Sequence, residues 1–463
     1  MKHRTPQVTH LAARSKQQTP PVPRRHRGCC LFDVSNSCVP ASRAPVIQRS
    51  LYEVSHSVTS VSRFWFPFSL VLFEFAVYIS NDMIMPGMPL VTREFGASAE
   101  ATTLALTAAM LGNASLQWLL GPLADRFGRR RVLLSGLAMF IVACLAVHYV
   151  QSMPQFILLR FLQGMGCCFV LTVGYPTVHE AFEEKTAVRV MALMANVSLL
   201  SPLFGPLAGA AVVSFWPWRS IFWLIALVAV FSFVGLYRTM PELSRHDRNA
   251  LNASQLWQGY KLPLSSGRFW RGAVLTGLAV TPLLTWIALG PVFLIERAGL
   301  SQMQYAMLQV PVFAALILGN VLLARQVGRW SNGRLLATGV AAMLVGAAVS
   351  LVGTAILAPG YPALLIGTTL HAFGMGMSYG VVYRQSLFAV DSPNRATVAG
   401  MLSMITIVVA VAVIEAMKFA YLHFGDAALG IGAMLAAALV AVLAANFVPP
   451  PAQDALSQTV RRA

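Results

Sequence analysis

The chain is short of charge, and of negative charge above all. Only 11% of its 463 residues are charged, and 17 acids face 34 lysines and arginines. Soluble domains run near a quarter charged, so a water-soluble fold is excluded. The six cysteines, Cys29, Cys30, Cys38, Cys144, Cys167 and Cys168, form no CxxC pair and have no histidines at ligand spacing. A disulfide framework and a zinc site are therefore unsupported. No Gly-rich nucleotide loop and no Ser/His/Asp arrangement is visible, and no soluble domain is large enough for signalling. An ATP-driven pump, a membrane enzyme and a sensor are set aside on that ground. The short alternating strands of a membrane barrel are missing as well.

What remains is apolar sequence in blocks. Hydrophobic residues make up 57% of the chain, in runs of about twenty, the length that crosses a hydrocarbon core of roughly 30 Å. Twelve candidate spans lie near 64–88, 101–123, 132–150, 155–178, 188–214, 219–238, 272–295, 304–324, 335–357, 361–383, 396–418 and 427–448. The expected fold class is all-α: a polytopic membrane protein.

The formal charge of +17 invites a nucleic-acid role, but its placement argues otherwise. One set of loops holds Arg126, Arg129, Arg130 and Arg131, then Lys185 and Arg189. The same side takes Arg238 to Arg271, Arg325 to Arg334, Arg384 and Arg395. The opposite loops hold only Arg93, Arg219, Arg297 and Lys418. This is the positive-inside pattern, which puts both termini in the cytoplasm and leaves no nucleic-acid partner to invoke.

Residues 1–62 are rich in Arg, Ser, Pro and Gln and have no apolar core of signal-peptide type. They read as a disordered basic cytoplasmic tail. Two explanations stand: binding to anionic lipid, or a start placed too far upstream. Further on, the polar stretch 239–271 reads as a cytoplasmic linker between helices 63–238 and 272–448, with 449–463 a second tail. ADRFGR at 124–129 is echoed by ARQVGR at 324–329, with Arg325 in place of Asp125. Six spans on each side of the linker and this weak repeat suggest two related bundles with a site between them.

The first span carries the chemistry. FWFPFSLVLFEFAVYISNDMIMPGMPL, from Phe64 to Leu90, holds Glu74 and Asp82 at membrane depth. Each charge there costs at least ~2.5–3.5 kcal/mol, so both acids should face a cavity. They lie eight residues apart, roughly 12 Å along a helix and not quite on one face. Two stations suit that spacing better than a carboxylate pair. In the fourth span, LRFLQGMG places Arg160 and Gln163 in an apolar helix. A buried Arg needs partners, and Glu74 or Asp82 would supply one. A lining of Phe73, Phe75, Tyr78 and methionines would adapt to varied lipophilic molecules. Among lesser polar residues, Glu415 and Lys418 read as a pair or as snorkelling, and His371 as a packing residue. Glu180, Glu183, Glu184 and Lys185 read as solvated.

Two further motifs stand out. GPLADRFGRRR at 121–131 joins the second and third spans: Gly121 would allow close packing, and Asp125 would accept from arginines or cap a helix. SPLFGPLAGA at 201–210 sets Pro202 and Pro206 to bend the fifth span and Gly205 and Gly209 to expose backbone to a neighbour. The first closely resembles the signature loop of the major facilitator superfamily. RFLQG resembles that family's fourth-helix motif, and SPLFGPLAGA its exporter motif, with Ser201 and Ala210 departing from the usual pattern.

Together with LVLFEFAVYISNDMIMPGMP and VGYPTVHEAFEE, these segments look like a multidrug/proton antiporter of the MdfA type from about Phe64 to Val448. The resemblance implies the major facilitator fold in two six-helix bundles, in a bacterial inner membrane. It implies Glu74, Asp82 and Arg160 as the proton and substrate set, with Tyr78, Asn81, Gln163 and Tyr175 as pocket neighbours. It implies a conformational latch at Gly121, Asp125, Arg126, Gly128, Arg129 and Arg130. The expected activity is efflux of lipophilic cations and neutral drugs such as chloramphenicol. It would be driven by the proton gradient with no bound cofactor, in a monomer that is not an enzyme. A proton-coupled importer of a small metabolite is the alternative, opposed only by the fifth-span motif.

Overall fold

A computed structural model of the chain describes residues 60–98, 100–242, 251–357, 360–391, 395–445 and 447. The tails expected at 1–62 and 449–463 fall almost wholly outside them. Each of the twelve expected spans is a helix: α1 (Ser60–Met83), α2 (Glu100–Ser115), α3 (Arg129–Ala146), α4 (Met153–Phe169), α5 (Glu184–Phe215) and α6 (Ser220–Thr239), then α7 (Gly267–Gly290), α8 (Gln302–Gln326), α9 (Asn332–Ile356), α10 (Tyr361–Leu387), α11 (Arg395–Phe424) and α12 (Asp426–Ala445).

Among the described residues, ten helices are long and apolar enough to cross a membrane by themselves. The span containing α2 is the eleventh: it breaks after Ser115, resumes at Leu120–Phe127, and bends by 50°. The remaining helix, α10, is long enough but diluted by His371 and by glycine, serine and threonine. The linker is not wholly irregular, because Ala253–Ser265 is helical, started by Asn252, whose side chain accepts from Ser254 N at 3.0 Å. An Asx cap of this kind supplies one of the donors' missing partners at a helix start.

Three spans depart from a plain α-helix where chemistry-bearing residues sit. After α1 the chain runs through a 3₁₀ turn, Met85–Gly87, into Met88–Glu94. Pro86 has no N–H to give to the carbonyl of Asp82, so the helix breaks one turn beyond that acid. After α4 comes a π turn, Val170–Gly174, and then Tyr175–Ala181. The inserted residue re-aims Tyr175, the usual effect of a π bulge inside a helix. α7 likewise ends in a π turn, Pro291–Arg297.

The halves are knit internally by backbone contact at glycine. A Cβ on Gly164 of α4 would stand 1.9 Å from the Ala109 carbonyl of α2, and one on Gly112 2.0 Å from that of Phe161. α9 and α10 meet the same way, through Gly346 against the Gly367 carbonyl at 2.4 Å. Between halves, α2 packs on α11 and α5 on α8, and Met88–Glu94 meets the π turn of α7. Thr107 on α2 donates to Glu415 Oε1 on α11 at 2.9 Å, while Lys418 pairs with the other oxygen. His371 is buried in the second half, with its Nε2 2.9 Å from the Ala279 carbonyl.

The weak repeat is real in three dimensions. Gly128 and Gly328 both adopt positive φ, +96° and +86°, at the same place in ADRFGR and ARQVGR. At the far end, the first half joins Glu94, which follows α1, to Arg219 before α6 at 2.5 Å. The second half joins Arg297, which follows α7, to Asp426 at the start of α12 at 3.3 Å. The tie is the same with its charges exchanged.

Gly121 is not a packing glycine, since a Cβ there would meet nothing within 4 Å. Gly164→Val should therefore lower the thermal midpoint sharply, at a cost of about 3 kcal/mol or more, because backbone cannot yield to a side chain. Gly121→Ala should stay within about 0.5 kcal/mol of the parent. Thermal unfolding of the detergent-solubilised variants checks both.

Candidate functional site

α1, α4 and α5 build the site. Glu74 and Arg160 have no exposed surface at all, and Asp82 is also buried. Carboxylates and guanidinium share one neighbourhood, for all three lie within electrostatic reach of the buried Cys167 thiol.

Arg160 does not pair with either acid. Its Nη1 donates to Gln163 Oε1 at 2.8 Å and to the Ser80 carbonyl at 3.2 Å, and its Nη2 to Asn81 Oδ1 at 2.8 Å. Gln163 passes the tie on to the Ala143 carbonyl of α3 at 3.3 Å. Neutral acceptors thus hold the cation where the sequence suggested a carboxylate. The spacing explains it: Asn81 and Ser80 occupy the last turn of α1 facing α4, and Gln163 follows Arg160 by three residues, hence on the same helix face. Three hydrogen bonds to a charged group at about 1.5–3 kcal/mol each offset much of its desolvation.

Glu74 is held more lightly. Tyr175 Oη donates to its Oε1 at 3.0 Å, while Oε2 is buried without a protein partner among the described residues. Tyr78 is half-buried beside them, within electrostatic reach of Glu74, Tyr175 and Tyr379. Tyr379 belongs to α10 in the second half and stacks on Tyr383 with ring centroids 6.0 Å apart. Asp82 in turn lies within reach of Tyr305 on α8, whose ring is buried and whose hydroxyl has no partner among the described residues. Tyr305 and Tyr379 were missed in the sequence, where nothing distinguishes a cavity-facing tyrosine from a membrane-interface one. Phe73, expected in the lining, packs instead against Phe140 of α3, centroids 6.3 Å apart. Phe75 is half-buried against the core.

The fifth-span motif bears directly on Asp82. A Cβ on Gly205 would stand 2.7 Å from Asp82 Cβ, and one on Gly209 1.9 Å from the Met83 carbonyl. Pro202 and Pro206 lie inside the same helix, α5. Only glycine lets α5 lie this close to the end of α1, so the motif clamps the backbone that carries the second acid.

The 121–131 loop sits apart from this cluster. Arg129 pairs with Glu180 at 2.8 Å and, more loosely, with Asp125 at 3.8 Å. Arg130 donates to the Tyr237 carbonyl and lies over that ring, 5.6 Å from its centroid. Arg126 lies over Phe127 at 5.4 Å. Glu180 is therefore not merely solvated. These ties of Arg129 and Arg130 run to α6 and to the segment after α4, within the first half. Gly128 is required by its positive φ, which joins Leu120–Phe127 to α3.

Asn81→Leu should destabilise the protein by about 2 kcal/mol, since it strips a charge-assisted bond and leaves a buried guanidinium short of an acceptor. Tyr175→Phe should cost less, about 1 kcal/mol, because a neutral donor is lost. Thermal midpoints of the two variants, compared with Gln163→Leu, test that order.

A family model described as Major Facilitator Superfamily matches residues 70–413. The chain is 46% identical over 361 residues to the multidrug transporter MdfA of Yersinia pestis bv. Antiqua (strain Angola), covering 78% of this chain and 88% of that protein. It is 44% identical to the protein of that name from Edwardsiella piscicida, covering 82% and 93%. With that from Escherichia coli O6:H1 it shares 43%, covering 78% and 88%. Among solved structures it resembles a D-xylose-proton symporter with a TM-score of 0.67 at 17% identity, covering 83% of this chain and 98% of that one. A bacterial homologue of the lysosomal transporter Spinster follows at 0.62 and 14%, covering 84% and 97%. The extent of these matches over the helices described above makes the chain a member of the Major Facilitator Superfamily.

Proposed function

We propose that the protein exports lipophilic cationic and neutral drugs in exchange for protons, by alternating access of two six-helix bundles spanning about 63–238 and 272–448. It works in a bacterial inner membrane as a monomer with both termini cytoplasmic, and it is not an enzyme. The sequence relatives bear the name multidrug transporter, and the basic loops favour this orientation. The single observation that carries the coupling is the unshared state of the two acids. Glu74 and Asp82 are buried in the same cluster as Arg160 yet not paired with it: Asn81, Gln163 and the Ser80 carbonyl take its Nη donors, and its Nε has no partner among the described residues.

The chemistry follows from that arrangement. A carboxyl not locked to a permanent cation is free to exchange its proton for a cationic substrate, and Glu74 has one oxygen held by Tyr175 and one open. Asp82, clamped by Gly205 and Gly209 at the end of α1, is the second station. Arg160 supplies a fixed positive charge that favours the ionised form of whichever acid comes nearest. Tyr78 and Tyr175 from the first half and Tyr379 from the second offer aromatic faces to lipophilic cations. Rocking of the bundles would expose these groups to each side in turn, with the 121–131 loop as the latch at one end.

Efflux in inverted membrane vesicles energised with a proton gradient tests the proposal. Glu74→Gln should cut transport of a lipophilic cation at least tenfold while sparing a neutral drug such as chloramphenicol more. A Glu74→Ala, Asp82→Ala double variant should abolish both. Full efflux by the double variant, or efflux insensitive to an uncoupler, would refute proton coupling through this site. Because inverted vesicles turn export into filling of the lumen, proton-driven loss of preloaded substrate from the lumen would favour the importer.

A further inference from the structure

The second half contains a cavity of about 650 Å³ at the end that carries the basic loops. Arg268 at the start of α7 and Arg384 in the last turn of α10 line it, with Asn320, Asn332 and Gln385 between them. No carboxylate lines it, and neither arginine has an acidic partner among the described residues. The side-chain oxygen of Gln385 is buried there without a partner among the described residues. Its amide is thus free to turn and donate. Asn332 also opens α9, so the N-terminal amides of that helix add positive potential.

The first half shows what such a place looks like when it is closed internally. There Arg129 is neutralised by Glu180 and Asp125. The repeated turn in the second half keeps the glycine geometry but replaces the acid with Arg325, and Ala324 and Val327 of that turn form part of the cavity wall. Two guanidinium groups and three amides then face one space with no counter-ion among the described residues. We infer that this cavity binds a phosphate-bearing anion, its charge met by Arg268 and Arg384 and its remaining oxygens by Asn320, Asn332 and Gln385. Guanidinium groups bind phosphate oxygens in bidentate fashion. Leu323, Val327 and Phe388 give the same cavity an apolar wall, which suits a phospholipid headgroup with its first methylenes as well as a free anion.

The full-length protein in detergent, titrated with dioleoylphosphatidylglycerol or dioleoylphosphatidylcholine and read by native mass spectrometry, tests the site. The anionic lipid should be retained in preference to the zwitterionic one. Its affinity should fall roughly tenfold or more in the Arg268→Gln, Arg384→Gln double variant. Arg325→Gln removes an equally exposed charge outside the cavity and should change it by less than about twofold. Inorganic phosphate added as competitor separates the sources: displacement of the lipid means the cavity reads phosphate alone, and no displacement means the chains contribute. Equal losses in the Arg325 and the double variants would mean diffuse surface charge and would overturn the site, as would equal retention of the two lipids. Both arginines are exposed, so the variants should fold, and an unchanged thermal midpoint confirms it.

Discussion

A guanidinium with no exposed surface needs acceptors, and meeting that demand at the two Nη atoms of Arg160 shapes the first half of the molecule, while its Nε stays without a partner among the described residues. Arg160 takes its acceptors from α1 and from its own helix, and Gln163 carries the tie to α3. This fixes how the last turn of α1 faces α4. Because those acceptors are neutral, the charge is held without consuming either acid. A permanent ion pair in the same place would be a structural strut, strongly destabilising to break and of little use for exchanging protons. The function proposed for Glu74 and Asp82 therefore depends on Asn81 and Gln163, and not the acids, serving as the acceptors of the cation.

The two halves share a plan but not a charge pattern. The turn at Gly128 recurs at Gly328, and the Glu94–Arg219 tie recurs as Arg297–Asp426 with signs exchanged. Membrane-embedded ionisable groups concentrate in the first half, while the second contributes tyrosines, His371 and small residues. Such a division suits a pair of bundles in which one carries the exchangeable charge and the other the adaptable wall. The seam between them includes Thr107 with Glu415, and Glu296 within electrostatic reach of Arg93. Polar contacts of this sort can be remade in another arrangement at little cost, unlike the glycine-to-carbonyl contacts inside each half.

Much of this was legible in the residues themselves. Twenty-residue apolar blocks and alternate basic loops gave all twelve helices, since hydrocarbon thickness and positive-inside bias act on composition alone. Buried acids and a buried Arg were conspicuous for the same reason. What stayed hidden were choices of partner. Hydropathy cannot show that Asn81 and not Asp82 would take Arg160, because one residue along a helix turns the side chain by about 100°. Nor could it show that Gly121 has space around it while Gly164 has none. The breaks after Met83 and Phe169 were only half visible: Pro86 announces the first, and nothing in VLTVG announces a π turn. Tyr305 and Tyr379 enter the site through the packing of one half on the other, a long-range fact that no local pattern records.

The claim on which the rest turns is that Glu74 and Asp82 hold exchangeable protons that a cationic substrate displaces. Proton release on adding a lipophilic cation to the purified protein in unbuffered detergent solution measures this without requiring transport. The wild-type chain should release protons as the drug saturates, and a Glu74→Gln, Asp82→Asn variant that still binds a neutral drug should release none. Equal release from that variant, or none from the wild type at saturating drug, would contradict the exchange.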